Sequence, residues 1–160
     1  MKTTVLLFAL FLIIACKNET QPPQKKSLKD DFIGTWQLLS SEYIKPDTII
    51  SNVNAGQKMI KMINDTHFGF FTHDLYKGKD TTGVTPATFI AGGGAYKLVN
   101  DQYTEYLEFC SDRAWENNEF SFTIEIRGDT LIQIGIEELE DKGLGKENLK
   151  LVEKYIRIKK

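Results

Sequence analysis

The sequence predicts an all-β domain, an eight-stranded up-and-down antiparallel β-barrel, behind an N-terminal leader. Three observations predict it. Short runs rich in β-branched and aromatic residues follow one another with no long helical pattern between them. Three turn signals, INDT at 63–66, VNDQ at 99–102 and RGDT at 127–130, each separate two such runs in the manner of a hairpin. The runs number eight, which is enough to close into a small barrel.

The first 16 residues stand apart. Lys2 supplies a positive charge, TTVLLFALFLIIA is an apolar stretch of 13, and Cys16 follows Ile13-Ile14-Ala15. As a helix such a stretch spans about 20 Å, short of a hydrocarbon core of about 30 Å, so residues 1–15 read as a cleaved signal. Ile-Ile-Ala-Cys resembles the lipobox of bacterial lipoproteins, the alternative being a secretory signal with a chance cysteine. The resemblance implies that Cys16 is lipidated and becomes the first residue of the mature chain. Several acyl chains exceed the two signals that stable attachment requires, so the expected location is the bacterial envelope, lipid-anchored at the outer membrane, with the periplasmic or surface face left open. Residues 16–30, including KNETQPPQKKSLKD, are almost free of apolar side chains and read as a solvated tether. The barrel domain is expected over 31–160.

The chain carries 20 basic and 22 acidic residues; loss of Lys2 with the leader leaves 19 basic and a net charge of −3. No basic surplus points to nucleic acid. With Cys16 assigned to lipid, Cys110 stands alone, so the fold is expected to hold without an intramolecular disulfide, and Cys110 reads as a small hydrophobe.

The eight expected strands are 35–44, 57–63, 67–72, 88–99, 103–110, 119–127, 131–137 and 149–158, with a possible helical turn within 136–148. Gly34-Thr35-Trp36 at the first strand, with Arg157 near the end of the last, resembles the shared signature of lipocalins and their calycin relatives. GGGAYKLVNDQYTEYLEF (92–109) and KMINDTHF (61–68) are similar to small lipocalin-like lipoproteins of the Bacteroidetes. The resemblance implies that Gly34, Trp36 and Arg157 form the barrel floor, the guanidinium lying across the indole. Such a cation–π contact contributes about 0.5 to 2 kcal/mol. Tyr155 stands where an aromatic, commonly Trp, is expected in those relatives.

Hairpin parity proposes the lumen. A two-residue turn at Asn100-Asp101 sets Leu98 opposite Tyr103, Tyr96 opposite Glu105 and Gly94 opposite Leu107. The face Tyr96, Leu98, Tyr103, Glu105, Leu107, Phe109 is the more apolar and should point inward. Glu105 then needs a partner, since an unpaired buried carboxylate costs several kcal/mol. Tyr96 across the hairpin, or Arg157 at the floor, is the expected one. In the last strand Tyr155 lies one step above Arg157, and an inward Tyr and Arg resemble the carboxylate-binding pair of fatty-acid-binding proteins in reversed order. Tyr96, Tyr103, Glu105 and Tyr155 are therefore the candidate ligand-binding residues.

Elsewhere parity leaves alternatives. A two-residue Gly128-Asp129 turn aligns Phe122, Ile124 and Ile126 with Leu131, Gln133 and Gly135. A three-residue bulged turn aligns them with Ile132, Ile134 and Ile136, which packs better. His67, Phe71 and His73 share one face and Phe68 with Phe70 the other, with the inward face undecided. The triple glycine at 92–94 lacks the Lys-Ser/Thr of a phosphate loop and suits a sharp bend. His67 and His73 match no zinc spacing, so no metal is expected. Trp115 is a rim aromatic or a partner-contact residue. No catalytic set is present, and neither an enzyme nor a cofactor is expected. The expected function is binding of a small apolar or amphipathic ligand in the lumen; the alternative is a protein-interaction or accessory module with a filled barrel, its protein partner unidentified.

Overall fold

A computed structural model of the chain describes residues 27–53, 55–76 and 87–159. The leader, Cys16 and most of the tether lie outside the described residues, as do positions 77–86.

Ten strands form one antiparallel sheet: β1 (Gly34–Ile44), β2 (Ile49–Ser51), β3 (Gln57–Ile63), β4 (His67–Asp74), β5 (Phe89–Val99), β6 (Gln102–Leu107), β7 (Phe109–Cys110), β8 (Asn118–Arg127), β9 (Thr130–Glu137) and β10 (Leu149–Arg157). Eight of them, β1, β3, β4, β5, β6, β8, β9 and β10, make a circuit that closes where β10 pairs with β1. The sheet is the expected up-and-down barrel. β2 lies on the far half of β1, and β7 resumes the β6 direction after an interruption at Glu108, which shifts the register against β5 by one residue. Gly94 and Leu107, expected as partners, fall at that shift and do not pair, and the same shift turns Phe109, expected inward, out to 68% exposure.

The turns explain the registers. Asn100 has φ 56°, a conformation that suits a tight hairpin, and Leu98 pairs with Tyr103 and Tyr96 with Glu105 as parity expects. Gly128, φ 60°, makes the other hairpin a two-residue turn. Phe122, Ile124 and Ile126 therefore oppose Gly135, Gln133 and Leu131, and not the isoleucine face that seemed to pack better. Ile134 and Ile136 are exposed on the outer wall, whereas Leu131 and Gln133 are buried. Gly135 makes room for the Phe122 ring: a Cβ there would lie 2.6 Å from the ring.

A bulge does the corresponding work in β1. Trp36 and Leu38 pair with Arg157 and Tyr155, then the register slips by one residue between Leu38 and Ser40. Leu39 is left exposed, and Ser41 and Tyr43, opposite Glu153 and Leu151, turn inward in place of Ser40 and Glu42. In β4 the undecided faces resolve with Phe68 buried and Phe70 partly so, while His67, Phe71 and His73 are exposed.

A short helix, α1 (Leu28–Phe32), precedes β1 and begins in residues the sequence placed in the tether. Ser27 caps it, accepting from the Asp30 amide, while the Asp30 side chain accepts from the Ser27 amide. The helix sets Phe32, fully buried, against Tyr103 and Tyr96, with ring centroids 4.8 and 5.7 Å apart. The segment 138–148 forms no helix but a hydrogen-bonded turn that places Leu139 in the core.

Candidate functional site

One end of the barrel is shut. The Arg157 guanidinium lies 4.1 Å from the Trp36 ring centroid, donates to the Ile33 carbonyl at 3.0 Å and also to the Asp31 carbonyl. The indole Nε1 donates to the Phe32 carbonyl at 2.9 Å. Gly34 is required by the guanidinium, since a Cβ would stand 2.5 Å from Arg157 Nη1. Thus Gly34, Trp36 and Arg157 meet as expected, and α1 supplies the carbonyls that complete the plug. Tyr96 belongs to this end: its hydroxyl donates to the Asn64 carbonyl at 2.8 Å, and it does not reach Glu105.

Above the floor lies a polar layer. Met59, Lys61 and Ile63 face inward from β3, and Lys61, 2% exposed, donates to Glu105 at 2.7 Å and to the Gln133 side-chain oxygen at 3.2 Å. The partner of Glu105 is therefore Lys61, not Tyr96 or Arg157. The ammonium is also ringed by Tyr155, Phe68 and Tyr103, at 5.2, 5.9 and 5.9 Å from their centroids. Tyr155 is fully buried and donates to Glu153 at 2.6 Å. Tyr43 donates to Glu137, also at 2.6 Å. Arg157 is engaged at the floor and Tyr155 by Glu153, so the pair does not assemble as a carboxylate clamp.

The electrostatics follow from enclosure. Burial pushes the Glu137 carboxyl up to about 7; neighbouring Glu153 and Glu105 push the same way, and the Tyr43 hydrogen bond and Lys61 pull it down. Burial also raises Glu153, against the pull of Lys61 and of hydroxyls on Tyr155 and Ser41. Burial and the adjacent carboxylates hold Tyr103 and Tyr155 well above the ordinary phenol range. The Tyr103 hydroxyl is turned toward Glu105 yet has no well-formed hydrogen bond among the described residues.

The lumen above this layer is not filled. An inner cavity of about 130 Å³ is lined by Lys61, Glu105, Gln133, Glu137, Glu153 and Tyr155, with Met59, Phe70, Leu107, Trp115, Phe120, Phe122 and Leu151. It adjoins a cleft of about 520 Å³ between Phe70, Phe89, Ile90, Leu107, Cys110 and Trp115, the two sharing Phe70, Leu107 and Trp115. Trp115 stands at the rim on a single 3₁₀ turn (Arg113–Trp115), 5.8 Å from the Phe120 ring. A further recess of about 210 Å³, lined by Leu38, Ser41, Gln57, Met59 and Thr72, also reaches Glu153. Of the candidate ligand-binding residues, Glu105 and Tyr155 line the inner cavity; Tyr96 and Tyr103 lie beneath it. No group of three His, Cys, Asp or Glu side chains converges as metal ligands among the described residues.

Sequence reasoning missed Lys61, Gln133, Glu137, Glu153 and Tyr43 as site residues. The signal for Lys61 was its spacing between Met59 and Ile63 on one strand face, together with a buried carboxylate that lacked a cation. Gln133 was hidden behind the more apolar isoleucine face of β9, and Tyr43 behind the bulge at Leu39.

No family model matches the chain, and no curated protein matches it. Among solved structures, an uncharacterized protein from Bacteroides eggerthii is similar over 80% of this chain and 100% of its own, at 17% identity and a TM-score of 0.47.

Proposed function

We propose that the chain is a non-enzymatic binding protein, held at the bacterial envelope by lipid on Cys16, that takes a small amphipathic ligand into the barrel. One observation carries the reading: an apolar cleft adjoins, through Phe70, Leu107 and Trp115, an inner cavity that carries a few convergent polar groups. Clefts of this kind, mostly apolar with a few convergent polar groups, are the usual form of small-molecule sites. The ligand's apolar part is held among Phe70, Ile90, Leu107 and Trp115, and its polar end meets the layer built on Lys61, Glu105 and Gln133.

The test is saturable binding of a neutral apolar fluorophore, N-phenyl-1-naphthylamine, by the full-length protein. Enhancement with a stoichiometry near one, lost in Leu107→Trp but kept in the outer-wall variant Ile136→Trp, supports the lumen. Enhancement unaffected by Leu107→Trp places the site elsewhere and overturns the reading.

A second reading, an accessory module that docks a protein partner, has its own support. Phe109 is 68% exposed and lines an open recess of about 560 Å³ with Phe71 and the glycines 92–94, and an exposed apolar surface of this kind favours contact with another surface.

A further inference from the structure

The inner cavity holds an unequal set of charges. Among the described residues lining it, Lys61 is the one cation, and its ammonium is engaged by Glu105 and Gln133. Glu153 and Glu137 line the same space and each accepts from a neutral tyrosine hydroxyl, Tyr155 or Tyr43. Neither forms an ion pair among the described residues. In the layer below, the enclosed Tyr103 hydroxyl turned toward Glu105 also lacks a well-formed partner. Among the described residues three carboxyls, Glu105, Glu137 and Glu153, thus face a single ammonium that is bonded to only one of them, and the Tyr103 hydroxyl below lacks a well-formed bond.

A buried carboxylate is tolerated when paired and costly when not. Beside a neutral head group burial keeps the carboxyls partly protonated, and an anionic one adds repulsion. A cation removes the imbalance. The carboxyls share their cavity with the rings of Tyr155, Phe120 and Phe122, a lining that suits an organic cation. We infer that the inner end of the ligand is an ammonium group, that of a small alkyl or arylalkyl amine, seated between Glu137 and Glu153. Its three N–H donors match carboxylate lone pairs, and the surrounding rings of Tyr155, Phe120 and Phe122 suit a desolvated cation. This inference rests on the lumenal reading above and names its ligand class.

The experiment compares three molecules of one shape, phenethylamine, 2-phenylethanol and phenylacetate, by calorimetric titration of the full-length protein. The amine is expected to bind at least about tenfold more tightly than the alcohol, a difference of ~1.4 kcal/mol, and the acid most weakly. Glu153→Gln should weaken the amine more than the alcohol, so that the tenfold preference between them is lost. Glu137→Gln, at a less enclosed position, provides the same readout should the first variant fold poorly. Amine binding near neutral pH should also release a proton from the carboxyl pair, seen as an enthalpy that varies with buffer ionisation heat. Equal affinities, or a preference for alcohol or acid, overturn the cationic head group and leave the lumenal site standing. Binding by none of the three overturns the cationic head group, and the fluorophore titration of Leu107→Trp then decides the lumenal site separately.

Discussion

Lys61 and Glu105 form an ion pair at 2.7 Å inside the barrel, from β3 and β6, and Gln133 of β9 accepts a second bond from the ammonium at 3.2 Å. The three side chains tie together strands that are not neighbours in the sheet. Removing one partner of such a pair leaves a buried charge, at a typical cost of about 3 to 5 kcal/mol. Lys61→Met should therefore lower the urea-unfolding free energy by about that amount, and Lys61→Met/Glu105→Gln should recover part of it. A double variant as unstable as the sum of its singles would mean that the pair is not coupled.

The floor supplies a second expectation. Trp36 is fully buried under the Arg157 guanidinium, and Trp36→Ala should cost about 3 to 5 kcal/mol. Arg157→Lys keeps the charge but loses the planar fork that reaches both Ile33 and Asp31 carbonyls, and should cost about 1 to 2 kcal/mol. Thermal unfolding of both variants checks the order.

Much of this fold was legible because turn chemistry fixes register. Asn100-Asp101 placed Tyr96 opposite Glu105 and Leu98 opposite Tyr103, and the Gly34, Trp36 and Arg157 positions gave the shut end. The interior was less legible, because its middle layer is polar. Choosing the more apolar face of 131–137 selected Ile132, Ile134 and Ile136, which are on the wall, and passed over Gln133, which bonds Lys61. A lysine in a strand reads as solvated unless its cation is demanded elsewhere. The plug helix was hidden in a polar segment, LKDDF, whose Ser27–Asp30 capping box was its only local signal.

Gly135 tests that register. Its Cβ would stand 2.5 Å from the Ser121 carbonyl oxygen and 2.6 Å from the Phe122 ring. Gly135→Ala should destabilise by about 1 to 3 kcal/mol through overpacking. With the isoleucines inward, position 135 would face solvent and alanine would be neutral or stabilising. Denaturant midpoints separate the two.

Glu137 gives a pH dependence with a definite sign. Its folded pKa, about 7, lies above the ordinary 4.5, so the folded state binds more protons than the unfolded one between these values. This contribution is complete below pH 4.5, falls as pH rises through 7, and then levels. It is worth on the order of 3 kcal/mol for a shift of this size. Glu137→Gln should flatten the stability profile between pH 5 and 8 measured by urea unfolding; an unchanged slope would place the titration on another group.

The most direct measurement is native mass spectrometry of the full-length protein, purified gently from its own organism, with organic extraction of whatever accompanies it. The account predicts a bound mass of one small molecule per chain, absent from the Leu107→Trp variant and carrying a basic nitrogen once extracted. A bare chain mass in every preparation, or a bound molecule retained by Leu107→Trp, would contradict a lumenal site.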